Sequence, residues 1–79
     1  RQLDEAFARA ILSGVLDPVS GEDIISSGMV RGLNVDGRKI TVYLNVEEGS
    51  EMAKSLEDDT VEAFEGLNLD LHLIFRKAS

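Results

Sequence analysis

The sequence predicts an α+β fold: a two-layer α-β-β-α-β sandwich in which two helices back a three-stranded mixed sheet. Three observations predict it. Apolar residues recur at helical spacing near the start of the chain and again after Ser50. They alternate with polar ones over 40–47 and over 67–76. Asp36-Gly37 separates two strand-like runs, which marks a hairpin.

Leu3, Phe7, Ile11 and Val15 fall every four residues, with Ala8 and Leu12 beside them, and form the apolar stripe of a first helix. Asp4 and Glu5 sit in its first turn, where negative charge suits the helix dipole. Ser13-Gly14 and then Pro18 close it. A first strand runs from Met29 to Val35, with Met29, Leu33 and Val35 on one face and Arg31 intruding. Asp36-Gly37 forms a type I′ turn, which needs φ > 0 at both central positions. The return strand sets Ile40, Val42, Leu44 and Val46 against Thr41, Tyr43, Asn45 and Glu47. Ser50 caps a second helix whose buried stripe is Ala53, Leu56, Thr60, Ala63 and Phe64, with Gly66 as its C′ residue. Leu67, Leu69, Leu71, Leu73 and Phe75 then alternate with polar positions in a third strand. The strand–helix–strand crossover makes the second and third strands parallel. The third strand lies beside the first or extends the other edge of the sheet.

The stretch from Leu16 to Arg31 follows neither period, yet it is rich in turn chemistry. Pro18 fixes its own φ and biases Asp17 toward an extended conformation. Asp17-Pro18 followed by Ser20-Gly21 reads as a tight turn. Ile24 and Ile25 turn inward, and Ser26-Ser27-Gly28 makes a second bend. An ordered loop of this length is a candidate functional surface.

The 79 residues form a single domain. The chain opens on Arg1, with a helix starting almost at once, which makes residues 1–79 an expected piece of a longer protein. A net charge of −7 repels phosphate backbones and anionic lipid surfaces, so neither nucleic acid nor membrane is an expected partner. No apolar run is long enough to cross a bilayer, and no signal peptide is expected. With no cysteine, the chain offers no disulfide, no thiolate nucleophile and no cysteine-ligated metal site. That usage fits a reducing compartment, and the expected location is cytoplasmic.

No P-loop, nucleophile elbow or dinucleotide motif occurs. His72 is the sole histidine and lies on the polar side of the third strand. Glu57-Asp58-Asp59 with Glu62 is a solvated helix face. Among 15 acids, Asp17 and Asp23 form the best candidate pair, and turn capping accounts for both. On residues alone the chain is an acidic α+β domain, a binding module rather than an enzyme.

The run from Val15 to Leu33 resembles the metal–sulfur cluster assembly domain of PaaD-like and SufT-like proteins. The pattern there is an Asp-Pro turn, then Asp, two Ile or Val, Ser, any residue, Gly, Leu or Met, and Val or Ile, then a strand pair. Asp17-Pro18 and the segment from Asp23 to Val30 match it. The wording is most similar to the N-terminal domain of Mrp/ApbC-type iron–sulfur carrier ATPases, where a P-loop ATPase domain follows. One departure matters. Stand-alone members often carry a reactive cysteine, followed by proline, at the start of the second helix. Here Glu51 stands at about the cysteine position and Met52 at the proline. A carboxylate cannot do thiolate chemistry or hold a soft iron–sulfur centre comparably.

The resemblance therefore implies an accessory docking domain in iron–sulfur cluster assembly or transfer. It implies a P-loop carrier ATPase domain, fused or separate, and iron–sulfur client proteins as partners. The cluster would sit on a partner or fused domain, with no cofactor, no metal and no catalytic residue on this chain. The contact residues would be Asp17, Pro18, Asp23, Ser27, Gly28 and Met29, with Glu51 replacing the thiol. Two alternatives stand beside it: a small carboxylate-based metal-dependent hydrolase using Asp17, Asp23 and Glu51, and a purely structural domain.

Overall fold

A computed structural model describes residues 4–77. The elements run α1 (Glu5–Leu12), β1 (Val30–Asp36), β2 (Lys39–Leu44), α2 (Glu51–Ala63) and β3 (Asp70–Phe75). The sheet order is β1-β2-β3, with β1 and β2 antiparallel and β2 and β3 parallel. The α+β sandwich and its mixed three-stranded sheet are thus as the sequence predicts. Of the two places open to the third strand, it takes the far edge, with β2 in the centre.

Ile40, Val42 and Leu44 on β2 are sealed against Ala8 and Leu12 of α1 and Ala53, Leu56 and Phe64 of α2. Such a central strand carries most of a small core, because only it has neighbours on both edges and a helical layer above. The other sheet face is open. Gly32, Tyr43 and Ile74 lie abreast across it, and a Cβ on Gly32 would stand 3.2 Å from the Tyr43 ring.

Several local expectations shift. Asp4 is the N-cap of α1, not a residue of its first turn: its backbone is extended and its carboxylate accepts the Phe7 amide at 2.8 Å. Leu3 lies outside the described residues. Val15 is buried but lies beyond α1, which Ser13 caps. Met29 precedes β1, and a bulge between Val30 and Gly32 makes Arg31 the extra residue. The bulge changes the parity, so Val30 sits opposite Leu44 on the core face and the charge goes to solvent. The hairpin loop is Gly37-Arg38, since Asp36 and Lys39 pair. Only Gly37 takes positive φ (63°), which is the type II′ pattern and not type I′.

Ser50 caps α2 as expected, with its hydroxyl accepting the Ala53 amide at 3.1 Å. Ala63 is exposed, and Phe64 ends the helix and fills the core. Gly66 at φ 85° lies two residues past that cap, one further than predicted. Leu67 and Leu69 precede β3 because Asn68 adopts φ 56°, which breaks the alternation. Arg38 fastens this entry by donating to the Leu67 and Asn68 carbonyls at 2.9 and 3.0 Å.

Candidate functional site

Between α1 and β1 the chain makes two linked turns, each headed by an aspartate. In the first, Asp17 Oδ1 accepts the amides of Val19 at 2.8 Å and Ser20 at 3.3 Å. Its carbonyl accepts the Gly21 amide at 2.8 Å, and its own amide donates to Glu22 at 2.7 Å. Gly21 closes the turn at φ 79°, a left-handed conformation that glycine adopts without strain. Pro18 sits at the corner, where its fixed φ suits the turn and its missing N–H costs nothing.

In the second turn, Asp23 Oδ2 accepts the amides of Ile25 and Ser26, both at 3.0 Å. The Asp23 carbonyl accepts the Ser27 amide at 3.0 Å, and Gly28 at φ 83° donates to Ile25 at 3.2 Å. The Ser27 hydroxyl donates to the Ile24 carbonyl at 3.4 Å. The Ser26 amide, and next its hydroxyl, hold the Asp23 carboxyl below its ordinary range, with partial burial pulling the other way.

Ile24 ties the two turns to the core. Its side chain is fully buried, its amide donates to Val15, and its carbonyl accepts the amides of Met29 and Val30. A short antiparallel bridge pairs Leu16 with Asp23. Strand-like alternation through that bridge turns Val15 and Asp17 inward and Leu16 outward. The usual order is thereby inverted: Asp17 is buried, while Leu16 and Val19 are 58% and 77% exposed.

The predicted residues thus fall into two groups. Asp17, Pro18, Asp23, Ser27, Gly28 and Met29 are joined in one hydrogen-bonded bend. Glu51 stands apart on the first turn of α2, exposed, and its carboxylate makes no ion pair or hydrogen bond among the described residues. The Asn45 amide donates to Met29 at 2.8 Å, so the exit of the bend meets the loop leading to α2. The entry lies elsewhere. Gly14, Val15 and Leu16 share an open cleft of about 410 Å³ with Asp59, Glu62 and Ala63. Eight residues of helix put Asp59 about 12 Å along the axis from Glu51. Asp17, Asp23 and Glu51 do not converge, and among the described residues no group of three or more His, Asp or Glu could hold a metal ion. The carboxylate hydrolase loses its geometric support.

Sequence reasoning misses Leu16 and Val19. The signal was present: two large apolar side chains flank a turn head whose carboxylate must point inward to cap the turn.

The fold and bend define an acidic α+β domain that displays a braced turn beside a three-stranded sheet. The chain is similar in fold to a crystallised domain of unknown function, DUF59, from Bacillus anthracis, with a TM-score of 0.79 at 20% identity, covering 95% of this chain and 78% of that one. A family model described as "Iron-sulfur cluster assembly protein" matches residues 5–69, and the chain belongs to that family. Among curated proteins none matches it. No helix among the described residues is long and apolar enough to cross a membrane.

Proposed function

We propose that this chain is a docking domain in iron–sulfur cluster assembly or transfer, and that it serves as the N-terminal domain of an Mrp-type carrier ATPase. Its partner is a P-loop carrier ATPase domain, fused or separate, together with iron–sulfur client proteins in the cytoplasm. The cluster is cargo. With no cysteine and one histidine, the chain leaves thiolate ligation to the partner. The observation that carries the reading is the match over residues 5–69 combined with a bend that holds Leu16, Pro18 and Val19 out to solvent on a scaffold of internal hydrogen bonds. A surface already fixed in shape loses little side-chain and loop freedom on binding.

The test titrates the 15N-labelled chain with a cluster-loaded P-loop carrier ATPase domain. Amide shifts concentrate on residues 16–28, and Val19→Ala weakens binding several-fold while leaving the melting temperature within about 2 °C. Absence of shifts in that segment, or full affinity in Val19→Ala and Leu16→Ala alike, would refute docking through the bend.

A further inference from the structure

The two edges of the sheet are not equivalent. The edge formed by β1 is blunted by the bulge at Arg31. The edge formed by β3 has no bulge, no proline and no lysine over Asp70–Phe75. Asp70 and Arg76 donate their amides inward, to the carbonyls of Arg38 and Leu44, both at 2.9 Å. By the period of two, His72 and Ile74 face the same way. The N–H and C=O groups of Leu71, Leu73 and Phe75 therefore point to the open edge. Their side chains are only half-buried. Beside them run two open clefts along α2, of about 440 and 320 Å³, lined in part by Leu71, and by Leu73 and Phe75.

The geometry points to a second copy of this chain as the occupant: β3 pairs with its own mate antiparallel about a two-fold axis at Leu73, joining two sheets into one. The register follows from the backbone. Outward groups must meet outward groups, which sets Leu73 opposite Leu73 and Leu71 opposite Phe75 of the other copy. Every free N–H on Leu71, Leu73 and Phe75 then meets a free carbonyl. A shift by two residues in either direction would leave one outward residue in each copy facing Leu69 or Lys77, both of which lie outside the strand.

The same register, set without reference to charge, brings Asp70 opposite Arg76 of the other copy, twice across the axis. Both are exposed, and they occupy a non-hydrogen-bonded pair, where facing side chains come closest. On the core side, Leu71 meets Phe75 and extends the apolar layer across the joint. The inference does not rest on the docking reading. The edge involved is β3, on the far side of β2 from β1 and the bend.

The test is sedimentation velocity on the 79-residue chain over a concentration series reaching the millimolar range. The expected result is a concentration-dependent dimer. Asp70→Arg and Arg76→Glu each turn attraction into repulsion at two places and weaken it about tenfold. The double variant Asp70→Arg/Arg76→Glu restores it. Both side chains lie outside the core, so melting temperatures report whether the variants remain folded. Hydrogen exchange gives a second readout: the amides of Leu71, Leu73 and Phe75 gain protection with concentration. A monomer at every concentration overturns the proposal and leaves the edge to an extended segment of another protein. So does a dimer that the double variant fails to restore, or one that leaves those three amides unprotected.

Discussion

Replacing Asp17 with alanine removes the acceptor that holds the first turn together. Two bonds go: the 2.8 Å bond from Val19 and the longer 3.3 Å bond from Ser20. Loss of an equivalent cap on a helix costs about 1 kcal/mol, and hydrogen bonds to a charged group are worth about 1.5–3 kcal/mol. The turn is rimmed by exposed residues, so water re-solvates part of what is lost, and about 2 kcal/mol is the expected cost. A domain of this length has about 4–12 kcal/mol of stability, so the change is a large fraction of the total. It lowers the melting temperature by about 8–16 °C.

Asp17→Asn is the control. Its amide oxygen can still accept both N–H groups. Among the described residues only Thr60 Oγ1 is a sealed side-chain polar atom without a partner, so the second oxygen of Asp17 is not left sealed and unpartnered. The Asn variant is expected to lose about half as much as the Ala variant. Urea denaturation followed by circular dichroism, with calorimetry beside it, measures both. A loss under about 0.5 kcal/mol in Asp17→Ala, or equal losses in the two variants, would refute the assignment of the effect to the acceptor oxygen.

Two further predictions concern single groups. The folded-state pKa of Asp23 lies below that of the unfolded chain, because the Ser26 amide and hydroxyl favour the charged form. Its contribution to stability is therefore present above the unfolded value, about 3.9, and is lost as pH falls through the folded value. Asp23→Asn makes stability fall less steeply with acidification below about pH 4, with the slope near neutrality unchanged; parallel urea midpoints for both proteins across that range would rule it out. Thr60 is fully buried with its hydroxyl unpartnered. Thr60→Val removes that penalty and raises stability by about 1 kcal/mol, seen as a higher melting temperature. A lower one would mean that the hydroxyl is satisfied, for instance by a buried water.

Element types were legible because each is written in a period. The every-fourth spacing from Phe7, the alternation from Ile40 to Leu44 and the cap at Ser50 each decide a local conformation by short-range physics. Displacements arose where tertiary pairing overrides the period. Arg31 reads as a polar residue on a core face, and only pairing with β2 shows that the chain bulges to expel it. Asp36-Gly37 has the composition of a type I′ turn, but pairing of Asp36 with Lys39 moves the loop one residue on. Leu67 and Leu69 continue an alternation that Asn68 breaks. At the site, the polar frame of the bend was legible from Asp17, Pro18, Asp23 and Gly28. Its exposed apolar residues are not legible there, because which side chains face out depends on the bridge between Leu16 and Asp23.

That inversion also decides how a partner can read the bend. The carboxylates of Asp17 and Asp23 are turned onto amides of their own loop, so neither is a free charge for a partner. The amides of residues 19–22 and 24–30 that these turns engage are likewise committed inside the loop or to neighbouring strand segments. What remains outward is side chain: the apolar Leu16, Pro18 and Val19, with Ser20, Glu22 and Ser26 beside them. Under the proposed docking role, recognition through this surface would be chiefly apolar contact on a pre-shaped turn, and apolar contact is less sensitive to moderate salt than charge pairing is. The two kinds of substitution then separate. Removing Val19 takes away contact and leaves the turn standing. Removing Asp17 loosens the turn, so affinity falls together with stability, through freedom that must be lost again on binding.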